Sequence, residues 1–203
     1  MTSAQSKQMD TRGMILQKAV FLFAQTGYSG VSMRDIASAV GISAAALYHH
    51  FPDKHALYLN AVQHAFADKA SRIREALETS GSTETRIARF ISVLVRLIGD
   101  DPDFRRLLQR ELLDGDEARL KMLATDIFEE QFKAISGLAE AIAPDCDAHM
   151  LALSIAGLVI HHFEMSPLRR FFPGSKPEHD EPDYIASHVT RLLLHGLKGM
   201  SRD

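Results

Sequence analysis

Apolar residues recur along this chain at helical rather than strand spacing. From Asp10 onward Ile15, Ala19, Leu22 and Phe23 fall at i, i+4, i+7 and i+8, the stripe of an amphipathic helix, and Gly27 offers a left-handed stop behind them. A second stripe, Met33, Ile36, Ala37 and Val40, starts behind Ser32, where Asp35 three residues on gives capping-box spacing, and ends at Gly41. Ser43 caps a short third helix running from Ala44 through His49, and Pro52 after Phe51 stops it. Asp53 then caps a longer helix, with Leu57, Ala61, His64 and Ala65 facing inward, that reaches the Ser80–Gly81–Ser82 break.

Further helices are predicted near 84–98, 102–113, 117–141, 146–163 and 183–198, about nine in all. Residues 1–9 read as a loose polar tail. Residues 166–182, with four prolines and one glycine, read as a loop between the last two helices. No alternating strand pattern of useful length and no internal repeat is present, so the fold class is all-α.

Two helices joined by a short glycine-containing turn fit the helix-turn-helix unit, whose second helix enters the DNA major groove. Ala37 is small where the helices must approach, Gly41 lies where the turn needs a positive φ, and Leu47 faces inward to hold the second helix. The surface residues suit phosphate instead. Ser32, Ser43 and Lys54 stand at or beside three helix starts, where unpaired N–H groups and the positive dipole end favour anions. Tyr48 and His49 sit on the exposed end of the third helix and offer hydrogen-bond donors. Base contact falls to Ser43, Ala44 and Ala45, with Arg34 as a possible reader of a guanine edge; two alanines offer only methyl contacts.

Composition supports this division without deciding it. At 203 residues, 46% hydrophobic and 24% charged, the chain has the make-up of a globular protein. Its net charge of −3 is unevenly spread: residues 1–60 carry five lysines and arginines against three aspartates, and the acidic surplus lies in the remainder. An anionic partner therefore suits the first segment only. One cysteine, Cys146, excludes an internal disulfide framework and suits a reducing compartment. The polar start lacks the apolar core of a secretory signal, and the longest apolar run, 150–160, falls far short of the roughly 20 residues that span a bilayer. A cytoplasmic protein without membrane contact is expected.

Residues 26–62, TGYSGVSMRDIASAVGISAAALYHHFPDKHALYLNAV, resemble the N-terminal domain of TetR-family (tetracycline-repressor-like) transcriptional regulators. The likeness rests on Gly-Tyr before the second helix, the Ile-Ala-x-x-Val-Gly-Ile-Ser turn, and Leu-Tyr-x-His-Phe followed by a lysine at the next helix start. It covers about residues 10–62; the body matches only in length and helical layout. Pro52 stands where a small polar residue is more usual.

The resemblance implies a helix-turn-helix DNA-binding domain over residues 1–52 and a ligand-binding and dimerisation domain over 53–203. In that family, positions matching Ser32, Ser43, Tyr48, His49 and Lys54 touch phosphates and those matching Arg34, Ala44 and Ala45 face bases. It also implies a homodimer on double-stranded palindromic operator DNA, most often as a repressor, with recognition helices about 34 Å apart in successive major grooves. A small-molecule effector in the body would act through the fourth helix. Phe66, Phe90, Leu94, Phe104, Phe128, Phe132 and His162 are the candidate pocket residues, each also a plausible core residue. The helix over 146–163 is apolar round most of its circumference, so Leu151, Ile155 and Leu158, with Val189, Leu193 and Leu197 on the last helix, are the candidate dimer contacts.

Competing chemistry is thin. His161, His162, Glu164, His179, Asp180 and His188 gather near the last loop, but adjacent helical histidines point about 100° apart and neither an HExxH run nor a cysteine pair occurs; no metal is expected. Cys146 and His149 lack a third orienting group, and no phosphate loop or nucleophile elbow is present, so neither an enzyme nor a cofactor is expected. Arg105–Arg106 and Arg169–Arg170 read as solvated or ion-paired. The remaining alternative is a helical small-molecule or metal-binding protein that does not bind DNA.

Overall fold

The computed structural model describes the backbone of residues 3–78 and 80–200 and the side chains of 11–78 and 80–196. Among these residues the regular structure is helical, without a strand. The chain order is α1 (Ser3–Thr26), α2 (Met33–Val40), α3 (Ala44–His50), α4 (Lys54–Leu77), α5 (Thr83–Gly99), α6 (Pro102–Asp114), α7 (Glu117–Met122), α8 (Glu129–Ile142), α9 (Ala148–Glu164), α10 (Ser166–Arg169) and α11 (Pro182–Met200).

Three expectations change. Helix α1 begins at Ser3 rather than Asp10, because Ala4, Gln5, Lys7, Gln8 and Met9 are helix formers with no breaker among them. The helix expected over 117–141 is divided: Leu123–Ile127 is a π-helical turn. Leu123 and Ile127 within it are both buried. Within it Thr125 Oγ1 bonds back to the Lys121 carbonyl at 3.0 Å, competing with regular helix. The loop expected over 166–182 contains α10 and a 3₁₀ turn over Pro177–Asp180.

The packing forms two units. One comprises Met1–Asp68 with Pro102–Ile127, the other Lys69–Asp101 with Phe128–Asp203. The first half of α4, with α6 and α7, packs with the N-terminal helices.

In the first unit Ile15, Phe23, Ile36, Leu47, Phe51, Leu57 and Tyr58 are buried together with Phe66 and Phe104, whose rings meet edge to face at 4.9 Å. Of the inward positions expected on α4, Leu57 and Ala61 are buried, but His64 is exposed. Arg110 of α6 donates to the Ala24 and Gln25 carbonyls at 3.0 and 2.9 Å, satisfying acceptors left open at the end of α1.

In the second unit α5 packs against α9 and α11. Ile87, Phe90, Ile91, Leu94 and Val95 of α5 are buried, as are Ile155 and Val159 of α9 and Ile185, Val189 and Leu193 of α11. Ile155, Val189 and Leu193, expected to be outward, thus fill this core, while Leu151 and Leu158 are half-buried; the outward apolar side chains of these helices include Met150, Leu153 and Leu192. An all-round apolar helix does not disclose which face its own core takes. Leu197 lies outside the described side chains. No described helix is long and apolar enough to cross a membrane.

Candidate nucleic-acid interface

The turn between α2 and α3 is built by backbone geometry. Gly41 has φ 79°, and its N–H donates to the Ala37 and Ser38 carbonyls at 3.0 and 3.1 Å. A Cβ there would meet nothing within 4 Å, so glycine serves the left-handed φ and not a close approach. Leu47, fully buried, pins α3 to the core, and Phe51 at its end is buried too.

That anchoring leaves the opposite face of α3 outward. Tyr48 is 51% exposed, His49 and Ala45 are exposed, and Ala44 is half-buried. Ser43 caps α3: its Oγ accepts from the Ala46 N–H at 3.1 Å, which leaves the hydroxyl proton free to donate outward. Arg34 is exposed on α2.

Ser32 is more committed. Its Oγ accepts from the Asp35 N–H at 3.2 Å, while its hydroxyl and backbone N–H both donate to Asp35 Oδ2, at 2.6 and 2.8 Å. These two bonds hold the Asp35 carboxyl below the usual carboxylate range, and the Lys54 ammonium adds to the effect. Ser32 is thus a helix cap first, with its donors already engaged.

Lys54 opens α4 just after Asp53, whose Oδ1 accepts from the Ala56 N–H at 2.7 Å, so Pro52 does not prevent the cap. The ammonium lies over the Tyr28 ring, 4.3 Å from its centre. Tyr28 meets Tyr58 edge-on at 4.9 Å, and Tyr58 is buried. Its hydroxyl donates to Oε1 of the fully buried Glu111, whose Oε2 accepts from Arg119 Nε at 2.7 Å. Burial, then the bond to Glu111, raises the Tyr58 phenol above its ordinary range. Burial is the largest single influence on Arg119 and pulls its pKa down, but the Glu111 bond together with the charges of Glu111, Tyr58 and Asp116 leaves it raised.

All eight expected DNA-facing residues belong to the first unit, on or beside the starts of α2, α3 and α4 and on the outer side of α3. Sequence reasoning missed Arg12, which stacks over Phe51 at 4.9 Å and donates to Asn60 Oδ1 at 2.7 Å. It also missed the Tyr58–Glu111–Arg119 network. Neither carried a local signal; only Tyr28, which meets both Lys54 and Tyr58, was marked, as the aromatic of the Gly-Tyr pair.

The seven candidate pocket residues are distributed over the two units. Phe66 and Phe104 are core of the first unit, and Phe90 and Leu94 are core of the second. Phe128 is half-buried, as is Phe132, whose ring meets His149 at 5.0 Å. His162 lines an open cavity together with His188. Among the described residues no group of three or more His, Cys, Asp or Glu is placed to hold a metal.

An all-helical chain carrying a doubly capped helix pair, a glycine turn and an outward polar second helix is a helix-turn-helix protein. Residues 15–61 match the family described as bacterial regulatory proteins, tetR family. The nucleoid occlusion factor SlmA of a Marinomonas species is 25% identical over 177 residues, covering 80% of this chain and 90% of that protein. A tetR-family regulatory protein from Rhodococcus RHA1 shares the fold with a TM-score of 0.74 at 24% identity, covering 92% of this chain and 96% of that one. The regulator FadR of Bacillus subtilis, solved in complex with stearoyl-CoA, gives 0.72 at 16% identity, covering 90% and 97%. Residues 15–61 therefore form a helix-turn-helix domain of the tetR-family type.

Proposed function

We propose that this chain is a ligand-responsive repressor that binds palindromic operator DNA as a cytoplasmic homodimer and releases it when a small molecule occupies the C-terminal body. The observation that carries the reading is the outer side of α3. A helix locked by Gly41 and Leu47 presents Ser43, Tyr48 and His49 outward, and Lys54 starts the helix that follows. Ser43, Tyr48, His49 and Lys54 supply hydrogen-bond donors suited to phosphate, while Ala44, Ala45 and Arg34 face bases. Ser32 supports them by fixing the start of α2.

Helix α4 contributes residues to both units and is the element through which an effector acts. Near-complete release requires the effector to favour the DNA-incompetent state by about 5 kcal/mol. The body's apolar side chains suit an effector with apolar surface, and the FadR structure with stearoyl-CoA is a relative of that kind.

The test is selection of bound sequences from random duplexes, followed by a screen of small molecules for release of the selected duplex. A palindromic winner supports the reading; retention of no duplex at low salt overturns it. With the winner in hand, Tyr48→Ala plus Lys54→Ala is expected to weaken all duplexes alike by at least about tenfold, whereas changes at Ala44 or Ala45 shift sequence preference. Unchanged affinity in the double variant removes these two residues from the interface.

A further inference from the structure

The second unit holds a cavity of about 220 Å³ lined by His162 of α9, Arg169 of α10, His179 of the 3₁₀ turn, and Tyr184, Ile185 and His188 of α11. That is below the roughly 300–1,000 Å³ of sites for drug-sized ligands, and it suits a molecule of about ten non-hydrogen atoms. Donors dominate its polar wall, and no carboxylate is among the lining residues.

Arg169 is fixed in advance. One amino group donates to the His162 carbonyl at 3.3 Å and the other to Asp180, so the guanidinium pays little ordering entropy on meeting a ligand. His179 Nδ1 accepts from the Lys176 backbone N–H at 3.2 Å, which puts the proton of its neutral ring on Nε2 as a donor. The His162 and His188 rings meet edge to face at 5.5 Å, and His179 lies 5.4 Å from Tyr184. Ile185 and the aromatic faces supply apolar wall.

We propose that this cavity binds a small organic acid as its monoanion, with the carboxylate on the donors of Arg169, His179 and His188 and the apolar body against Ile185 and Tyr184. A monoanion fits better than phosphate dianion, because the guanidinium that faces the site is already partly neutralised by Asp180. The assignment is independent of DNA binding and of the effector that releases DNA.

Proton linkage gives the site a signature. Burial, then His188, Arg169 and His161, depress the His162 pKa, which marks a locally positive setting. The charged and titratable groups about it are His161 and Glu164 on α9, Arg169 on α10, His179 and Asp180 in the turn, and Tyr184 and His188 on α11; Arg96 of α5 is tied to Asp183 at 2.6 Å. A bound anion favours the imidazolium and raises that pKa, so binding takes up protons and strengthens as pH falls. A rise of one unit makes binding a few-fold tighter at pH ~6 than at pH ~8, short of the roughly tenfold limit that is reached only well below both the free and the bound pKa.

Isothermal titration and imidazole NMR of the full chain test this with sodium benzoate, its neutral isostere benzyl alcohol, and inorganic phosphate as probes. Expected are one benzoate per chain, shifts of the His162 and His188 imidazole signals, tighter binding at the lower pH, and binding of benzyl alcohol at least about tenfold weaker. His188→Gln, an exposed site, and Arg169→Gln are each expected to weaken benzoate about tenfold, and Arg89→Gln on α5 to leave it unchanged. If Arg169→Gln fails to fold, His188→Gln decides. Equal binding of benzyl alcohol, phosphate binding tighter than benzoate, absence of benzoate binding, or full affinity in His188→Gln each overturns the assignment.

Discussion

Glu111 is the side chain on which most depends at the scale of single residues. It is fully buried, receives the Tyr58 hydroxyl on one oxygen and the Arg119 guanidinium on the other, and so joins α4 to α6 and α7 within the first unit. Removing one partner from a buried charged network costs more than its parts contribute, because the others stay desolvated. Glu111→Ala strands a buried phenol and half of Arg119, although Arg119 keeps Asp114 at 3.2 Å and Asp116 at 3.3 Å. The expected loss is about 3 kcal/mol, the lower end of the range for a broken buried pair, read as a fall in the urea midpoint at constant slope. Glu111→Gln, which keeps the shape and an acceptor for Tyr58, is expected to lose less than half of that. Equal losses would locate the effect in packing volume rather than charge. None of this was legible in the sequence, since 53 positions separate Tyr58 from Glu111 and nothing local marks a glutamate for burial.

Elements were legible where their specification is local. Ser32, Ser43, Asp53 and Ser82 each accept a hydrogen bond from a backbone N–H three residues ahead, so four helix starts follow from neighbours in sequence. Gly41 is legible for the same reason, and it sets a contrast with Gly137 inside α8. An alanine at 41 meets no atom but must adopt φ 79°, a cost of about 1–2 kcal/mol. An alanine at 137 also meets no atom, sits in ordinary helix, and is expected to stabilise by about 1 kcal/mol. Thermal unfolding of the two variants should therefore shift in opposite directions, and Gly41→Ala should lose duplex affinity as the turn that aims α3 relaxes. The π turn at Leu123–Ile127 was not legible, because its apolar spacing passes for α-helix until the register of the next helix is seen.

For the whole molecule the outward apolar residues of α9 and α11 decide what the proposed dimer rests on. Leu153 is 48% and Leu192 51% exposed, while Ile155, Val189 and Leu193 are already covered within the chain. Leu153→Glu with Leu192→Glu should leave the protomer's melting curve nearly unchanged, because neither side chain is core, yet place charges where a partner's apolar face would sit. The expected outcome by analytical ultracentrifugation is a monomer from a wild-type dimer. The same variant separates pairing from DNA contact. Each phosphate neutralised by a cation adds roughly −0.9 to the slope of log affinity against log salt, so two Lys54 ammonium groups contribute about −2 to a dimer's slope. The monomeric variant should retain half of that contribution, and Lys54→Ala in the dimer should abolish it. A dimer that persists with both glutamates in place would move the interface off Leu153 and Leu192, and an unaltered slope in Lys54→Ala would take that ammonium away from the phosphates.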